Sequence, residues 1–170
     1  TLEIHPIALF DRSSQGTAFS TRSANAAACI ANYSPDDFWT FTRGMFAKQP
    51  VQNTGGLTNA QIIGVARSSA VHNLSRVSDC VDSEKFKAWV TASTGRALAG
   101  PLPDSSIRKV AAAPTVIVDG QDFPITSADV SSAAAFTSFV EQAAGSQFKP
   151  TGPSTPSPTA SLTPSPTPTG

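Results

Sequence analysis

The chain has 170 residues, with 39% hydrophobic and 14% charged residues and a formal net charge of zero. That is one ordinary domain, or a slightly smaller one with a tail, and it holds enough apolar material for a real core. The zero net charge gives no support to a nucleic-acid partner or an anionic membrane surface, and the longest apolar runs, such as 24–30 and 114–118, are far too short to span a bilayer.

In chain order, Leu2–Phe10 alternates and then turns apolar before the polar stretch DRSSQG, so it predicts a strand with Pro6 at its edge or at a bulge. The alanine-rich run 19–32 predicts a helix with Ser20 as N-cap. A second helix is expected from Ser34 as N-cap, Pro35 at the first helical position and Asp36 and Asp37 in the first turn. It should stop near Lys48, before Pro50, and its stripe of Phe38, Phe41, Met45 and Phe46, with Trp39 alongside, reads as core. After the loop 53–57 a third helix starts at Thr58 with Ile62, Ile63, Val65 and Ala66 on its apolar side. A short helix around Val77–Val81 follows, then a longer one from Ser83 to about Leu98 with Phe86, Trp89, Val90 and Ala97 at helical spacing, ended by Gly100-Pro101 and Pro103.

The period then changes. Residues 115–119 (TVIVD) predict a buried strand, Asp119-Gly120 a hairpin turn, and 122–125 a short partner strand. A last helix is expected over 131–144, with Phe136, Phe139 and Val140 on one side. A strand, several helices, a hairpin and a helix make an α/β or α+β sheet covered by helices, and three strands are too few unless another joins them. From Lys149 onward the sequence is almost entirely Pro, Thr, Ser, Gly and Ala, with TPSPT twice, and reads as a disordered stalk or linker. The first residue is Thr rather than Met, so the sequence is expected to begin partway into a longer product, with room for an export signal or anchor in the part before it.

The stretch with chemical content is 109–120, KVAAAPTVIVDG. Pro114 stands at the mouth of a β-branched run behind three alanines. A cis bond there would turn the backbone of Ala113 outward, free to pair with an extended peptide; a trans proline at a strand start is the ordinary alternative. Cys29 and Cys80, 51 positions apart on two predicted helices, are either bridged or buried as small apolar thiols. They are too distant in sequence, and too apolar in their neighbours Ala28 and Val81, to suggest a reactive pair. His5 and His72 have no ligand at metal spacing, and there is no GxSxG, P-loop or GxGxxG, so neither a metal nor any other cofactor is expected. Asn32-Tyr33-Ser34 and Asn73-Leu74-Ser75 fit the glycosylation pattern, which short sequences often match by chance.

The segment Ala112-Ala113-Pro114-Thr115-Val116 ahead of a hairpin and a final helix resembles the cis-proline loop of thioredoxin-fold proteins. IHPIALFDR at 4–12, STRSANAAACIA at 20–31, FWTFTRGMFAKQP at 38–50, GGLTNAQIIGVA at 55–66 and CVDSEKFKAWV at 80–90 narrow the resemblance to DsbA-like thiol–disulfide oxidoreductases of exported, actinobacterial type. The resemblance implies an α/β fold: a thioredoxin-like sheet over residues 1–148 with a helical subdomain inserted at about 20–99, and 149–170 as tail. It implies that the family's first strand and its active-site helix, which carries the CxxC, are missing from these residues. Ala113, Pro114 and Thr115 would then hold a protein or peptide thiol or disulfide substrate, and Cys29 and Cys80 would form a non-catalytic disulfide. Such a bridge contributes roughly 4 kcal/mol by chain entropy. The family usually has Gly-Thr or a similar pair where this chain has Ala112-Ala113, which bears on redox poise more than on backbone pairing. An extracytoplasmic location and a membrane redox partner follow from the same resemblance, and the zero net charge leaves no nucleic-acid partner expected. The contrasting expectation is a redox-silent module that binds extended peptides on a Thr/Pro stalk.

Overall fold

A computed structural model describes residues 2–125 and 132–145. The tail at 149–170 and Ser131 lie outside the described residues. Among the described residues six α-helices carry the fold: α1 (Phe19–Tyr33), α2 (Phe38–Ala47), α3 (Asn59–Ser68), α4 (Leu74–Asp82), α5 (Lys87–Ala99) and α6 (Ala133–Ala144). Two short strands, β1 (Ile117–Val118) and β2 (Gln121–Asp122), form an antiparallel hairpin with Ile117 opposite Asp122 and Val118 opposite Gln121.

The main core lies among α1 to α4. Ile30, Ile62, Val77 and Cys29 are fully buried there with Phe41 and Val81, and Phe19, Phe38, Met45 and Leu57 pack around them. A smaller apolar cluster joins the hairpin to α6: Phe123 meets Phe136 and Phe139 edge to face, with ring centroids 5.4 and 5.1 Å apart.

The helix starts show which local signals prevail. α3 begins as its sequence predicts: the Thr58 hydroxyl accepts the Gln61 backbone N–H at 3.2 Å and the Gln61 side chain accepts the Thr58 N–H at 2.8 Å. α1 differs. Ser20 lies inside the helix and accepts the Phe10 N–H, while the Asp11 carboxylate accepts the Thr21 N–H and hydroxyl at 2.9 and 2.6 Å and Ser14 accepts the Phe19 N–H. The preceding turn therefore supplies the cap. Ser34 does not cap α2 either. Its hydroxyl donates to the distant His72 carbonyl, and Pro35–Asp37 form a 3-10 turn ahead of α2. Residues 83–86 likewise form turns, and α5 starts at Lys87.

The expected sheet is much reduced. Leu2–Phe10 makes no strand, because no ladder partner lies beside it among the described residues. It is held instead by the Ala8 N–H donating to Thr94 Oγ1 at 2.9 Å, and Leu2, Ile4 and Phe10 stay exposed. The run 115–119 pairs only at Ile117 and Val118, and with a single neighbouring strand Ile117 remains exposed rather than buried. The partner strand is 121–122, not 122–125. Asp119 and Gly120 make the turn with φ of 46° and 77°, the left-handed pair that this tight hairpin requires. No helix of the described residues is long and apolar enough to cross a membrane.

Candidate functional site

The loop at 111–115 sits between two anchors. Upstream, the Val110 N–H donates to the Ala97 carbonyl at the end of α5; downstream, the Phe123 N–H donates to the Val116 carbonyl across the hairpin, both at 2.9 Å. Within the loop Thr115 Oγ1 donates to the Ala112 carbonyl at 2.7 Å, which fixes the turn. Ala111, Ala112, Ala113 and Pro114 are exposed, Thr115 is half-buried, and the Ala113–Pro114 bond is cis. Among the described residues the N–H and carbonyl of Ala113 have no hydrogen-bond partner.

Those unpaired groups define what the loop can do chemically. It presents no ionisable side chain, only backbone donors and acceptors beside a small apolar surface. Such an edge can extend a bound peptide by main-chain pairing. Next to the hairpin, a shallow groove of about 420 Å³ lies between Phe123, Pro124 and the Ala135, Ser138, Phe139 and Gln142 face of α6.

Cys29 and Cys80 are elsewhere. They form a disulfide from α1 to α4, with S–S 2.05 Å and Cα–Cα 5.9 Å. Cys29 is 0% and Cys80 3% exposed, and no cysteine is free. Neither sulfur has the exposed, electropositive setting that makes a nucleophilic thiolate. The bridge joins two of the four helices that enclose the main core. The structure therefore separates the two sets of residues singled out in the sequence, with the bridge in the helical core and the loop beyond α5.

Two polar arrangements escape sequence reasoning. Asp37 accepts the His72 backbone N–H at 2.7 Å and lies 2.9 Å from His72 Nδ1. These contacts, the backbone bond first, hold the Asp37 carboxyl below its ordinary value. The second is a groove beside the disulfide, lined by Tyr33, Arg76 and Lys85. In both cases the partners are tens of residues apart, and no local spacing marks them. Among the described residues no group of three His, Cys, Asp or Glu side chains could hold a metal ion.

The model of the family described as Thioredoxin matches residues 7–141. No curated protein and no solved structure matches the chain significantly. The matched span takes in α1 to α5, the 111–115 loop, the hairpin and most of α6. With most of its length accounted for in this way, the chain belongs to the thioredoxin family.

Proposed function

We propose that this chain is the substrate-holding part of an exported, DsbA-like thiol–disulfide oxidoreductase. The observation that carries the reading is the loop at Ala113–Thr115, exposed at Ala113 and Pro114 and with the Ala113 backbone unpaired among the described residues, in a chain of the thioredoxin family. The helical stretch from α1 to α5 corresponds to an insertion at about 20–99 that flanks the substrate, and the Pro/Thr/Ser-rich tail to a stalk.

No CxxC occurs in these 170 residues, and both cysteines are buried in one bridge. The reacting dithiol therefore belongs to sequence outside this stretch, together with the strand that would pair with the hairpin sheet. In the oxidising direction, a substrate thiolate attacks one sulfur of the CxxC disulfide and releases the other as thiolate. The second substrate thiolate then attacks the mixed disulfide. The substrate leaves with one disulfide and the CxxC keeps the two electrons as a dithiol, to be reoxidised by a membrane redox partner. Throughout, Ala113 and Thr115 contribute backbone pairing that keeps the peptide extended beside the sulfurs.

The test compares two proteins. The 170-residue chain should not turn over a dithiol peptide, whereas the natural product including the sequence before Thr1 should do so and should lose activity when its CxxC is changed to Ser-x-x-Ser. Turnover by the 170 residues alone would overturn the reading. A natural product without any CxxC that still binds extended peptide at 111–116 would establish the redox-silent binding module instead.

A further inference from the structure

We infer that the groove between the end of α1 and α4 binds a carboxylate group. Tyr33 stands one helical turn after Cys29 on α1, and Arg76 one turn before Cys80 on α4. The disulfide thus fixes both walls of a shallow groove of about 330 Å³, lined by Tyr33, Arg76, Asp79, Cys80, Ser83 and Lys85.

The polar groups there are already arranged. Lys85 Nζ donates to Tyr33 Oη at 2.5 Å and lies 5.1 Å from the centre of the Tyr33 ring and 5.7 Å from that of Phe86. The ammonium is held by two aromatic rings, so little side-chain freedom is left to lose when an anion arrives. Because Tyr33 Oη accepts from Lys85, its own proton remains available to donate. Among the described residues neither Lys85 nor Arg76 makes an ion pair, and Lys87–Glu84 is the pair formed between a Lys or Arg and a carboxylate. Ser83 Oγ is committed to the Asp79 and Cys80 carbonyls.

Charge points to an anion: Arg76 and Lys85 against the single carboxylate of Asp79 leave one net positive charge in the lining. The planar guanidinium of Arg76 matches a carboxylate through two parallel hydrogen bonds, and the Tyr33 hydroxyl adds a third donor. In a polypeptide that carboxylate is either the free C-terminus or an Asp or Glu side chain. The site lies wholly within these 170 residues and needs no dithiol, so its failure would leave the oxidoreductase reading untouched.

The experiment titrates isotope-labelled protein with millimolar short peptides and follows amide shifts by NMR. One peptide has a free C-terminal carboxylate and no acidic side chain; a second is C-terminally amidated with one internal Glu; a third is amidated and uncharged. The first or the second, but not the third, should move Tyr33, Arg76 and Lys85, and which one does so identifies the source of the carboxylate. Arg76→Gln and Lys85→Gln should each weaken binding about threefold to fivefold, as expected for exposed charges. Lys85→Arg should retain binding, and Lys87→Gln, which removes a neighbouring cation outside the groove, should leave it unchanged. No shift at the groove with either acidic peptide, equal shifts with the uncharged one, or undiminished binding in the Arg76→Gln, Lys85→Gln double variant would overturn the assignment.

Discussion

Asn25 Oδ1 accepts the Phe86 backbone N–H at 2.8 Å, across 61 residues of sequence, where Asn25 is only 1% exposed. Phe86 is the residue just before α5, and no side chain of its own turn caps that helix. A side chain of α1 therefore holds the start of α5, and this contact helps to set where the helix leading to the 111–115 loop begins.

Asn25→Leu keeps a similar volume but removes the acceptor, so the partly buried Phe86 N–H loses its partner. The expected loss is about 1–3 kcal/mol. Asn25 Nδ2 has no partner among the described residues, so its removal should contribute little to this loss. Urea denaturation of the variant and the parent checks the prediction. An unchanged midpoint would show that water satisfies the Phe86 N–H and that the contact does not hold α5.

The Cys29–Cys80 bridge closes a loop of 51 residues and should account for about 4 kcal/mol of stability in the chain-entropy model. Cys29→Ala, Cys80→Ala should lose stability toward that limit, with the packing of α1 on α4 limiting further disruption. Non-reducing digestion followed by mass spectrometry should yield a linked Cys29–Cys80 peptide. Two alkylatable thiols in the native protein would contradict the bridge.

Much of the helical fold is legible because its signals are local. Thr58 and Gln61 sit three residues apart and mark the start of α3 by themselves; the Gly100-Pro101 pair likewise ends α5. The misread starts have remote competitors. Ser34 is a good N-cap by type, yet its hydroxyl is taken by His72, 38 residues away, and α1 is capped by Asp11 from the turn before it rather than by Ser20. Strands are harder still, since alternation at Leu2–Phe10 shows which residues could face a core but not whether a ladder partner exists. Part of the aromatic stripe on α2 was legible: Phe41 is buried, but Trp39 and Phe46 are exposed because only one face of α2 meets the core. The 111–115 loop could be picked out because a proline before a β-branched run is a local signal. The Tyr33–Arg76–Lys85 groove could not, because it forms only when α1 and α4 are brought together.

Asp37 gives a pH dependence with a definite sign. His72 donates its backbone N–H and faces the carboxylate with its ring, and these contacts lower the folded pKa of Asp37 below the unfolded value. A depressed carboxyl stabilises the fold above its unfolded pKa, and that contribution disappears as pH falls through the folded value. Asp37→Asn can still accept the His72 N–H but carries no charge. The parent should therefore be more stable than Asp37→Asn at neutral pH, and the difference should shrink as pH drops below about 4. Urea midpoints across that range decide the matter, and a difference independent of pH would remove the ionised carboxylate from the account.

Two glycine substitutions should act in opposite directions. Gly100 ends α5 with φ of 68° and ψ of −171°, a conformation that residues with a side chain rarely adopt. A Cβ there would also stand 2.1 Å from the Arg108 carbonyl oxygen, so the backbone of 100–108 would have to move. Gly100→Ala should lose roughly 1–3 kcal/mol from the strained conformation, with the clash adding to it, and should loosen the approach to the 111–115 loop. Gly64 lies inside α3, and a Cβ added there meets nothing within 4 Å. Alanine forms helix more readily than glycine, so Gly64→Ala should stabilise the protein by about 0.5–1 kcal/mol. Thermal or urea unfolding of the two variants, with hydrogen exchange over 100–116, reads both effects. A neutral Gly100→Ala with unchanged exchange would mean that the turn after α5 can relax, and that the position of the loop does not depend on it.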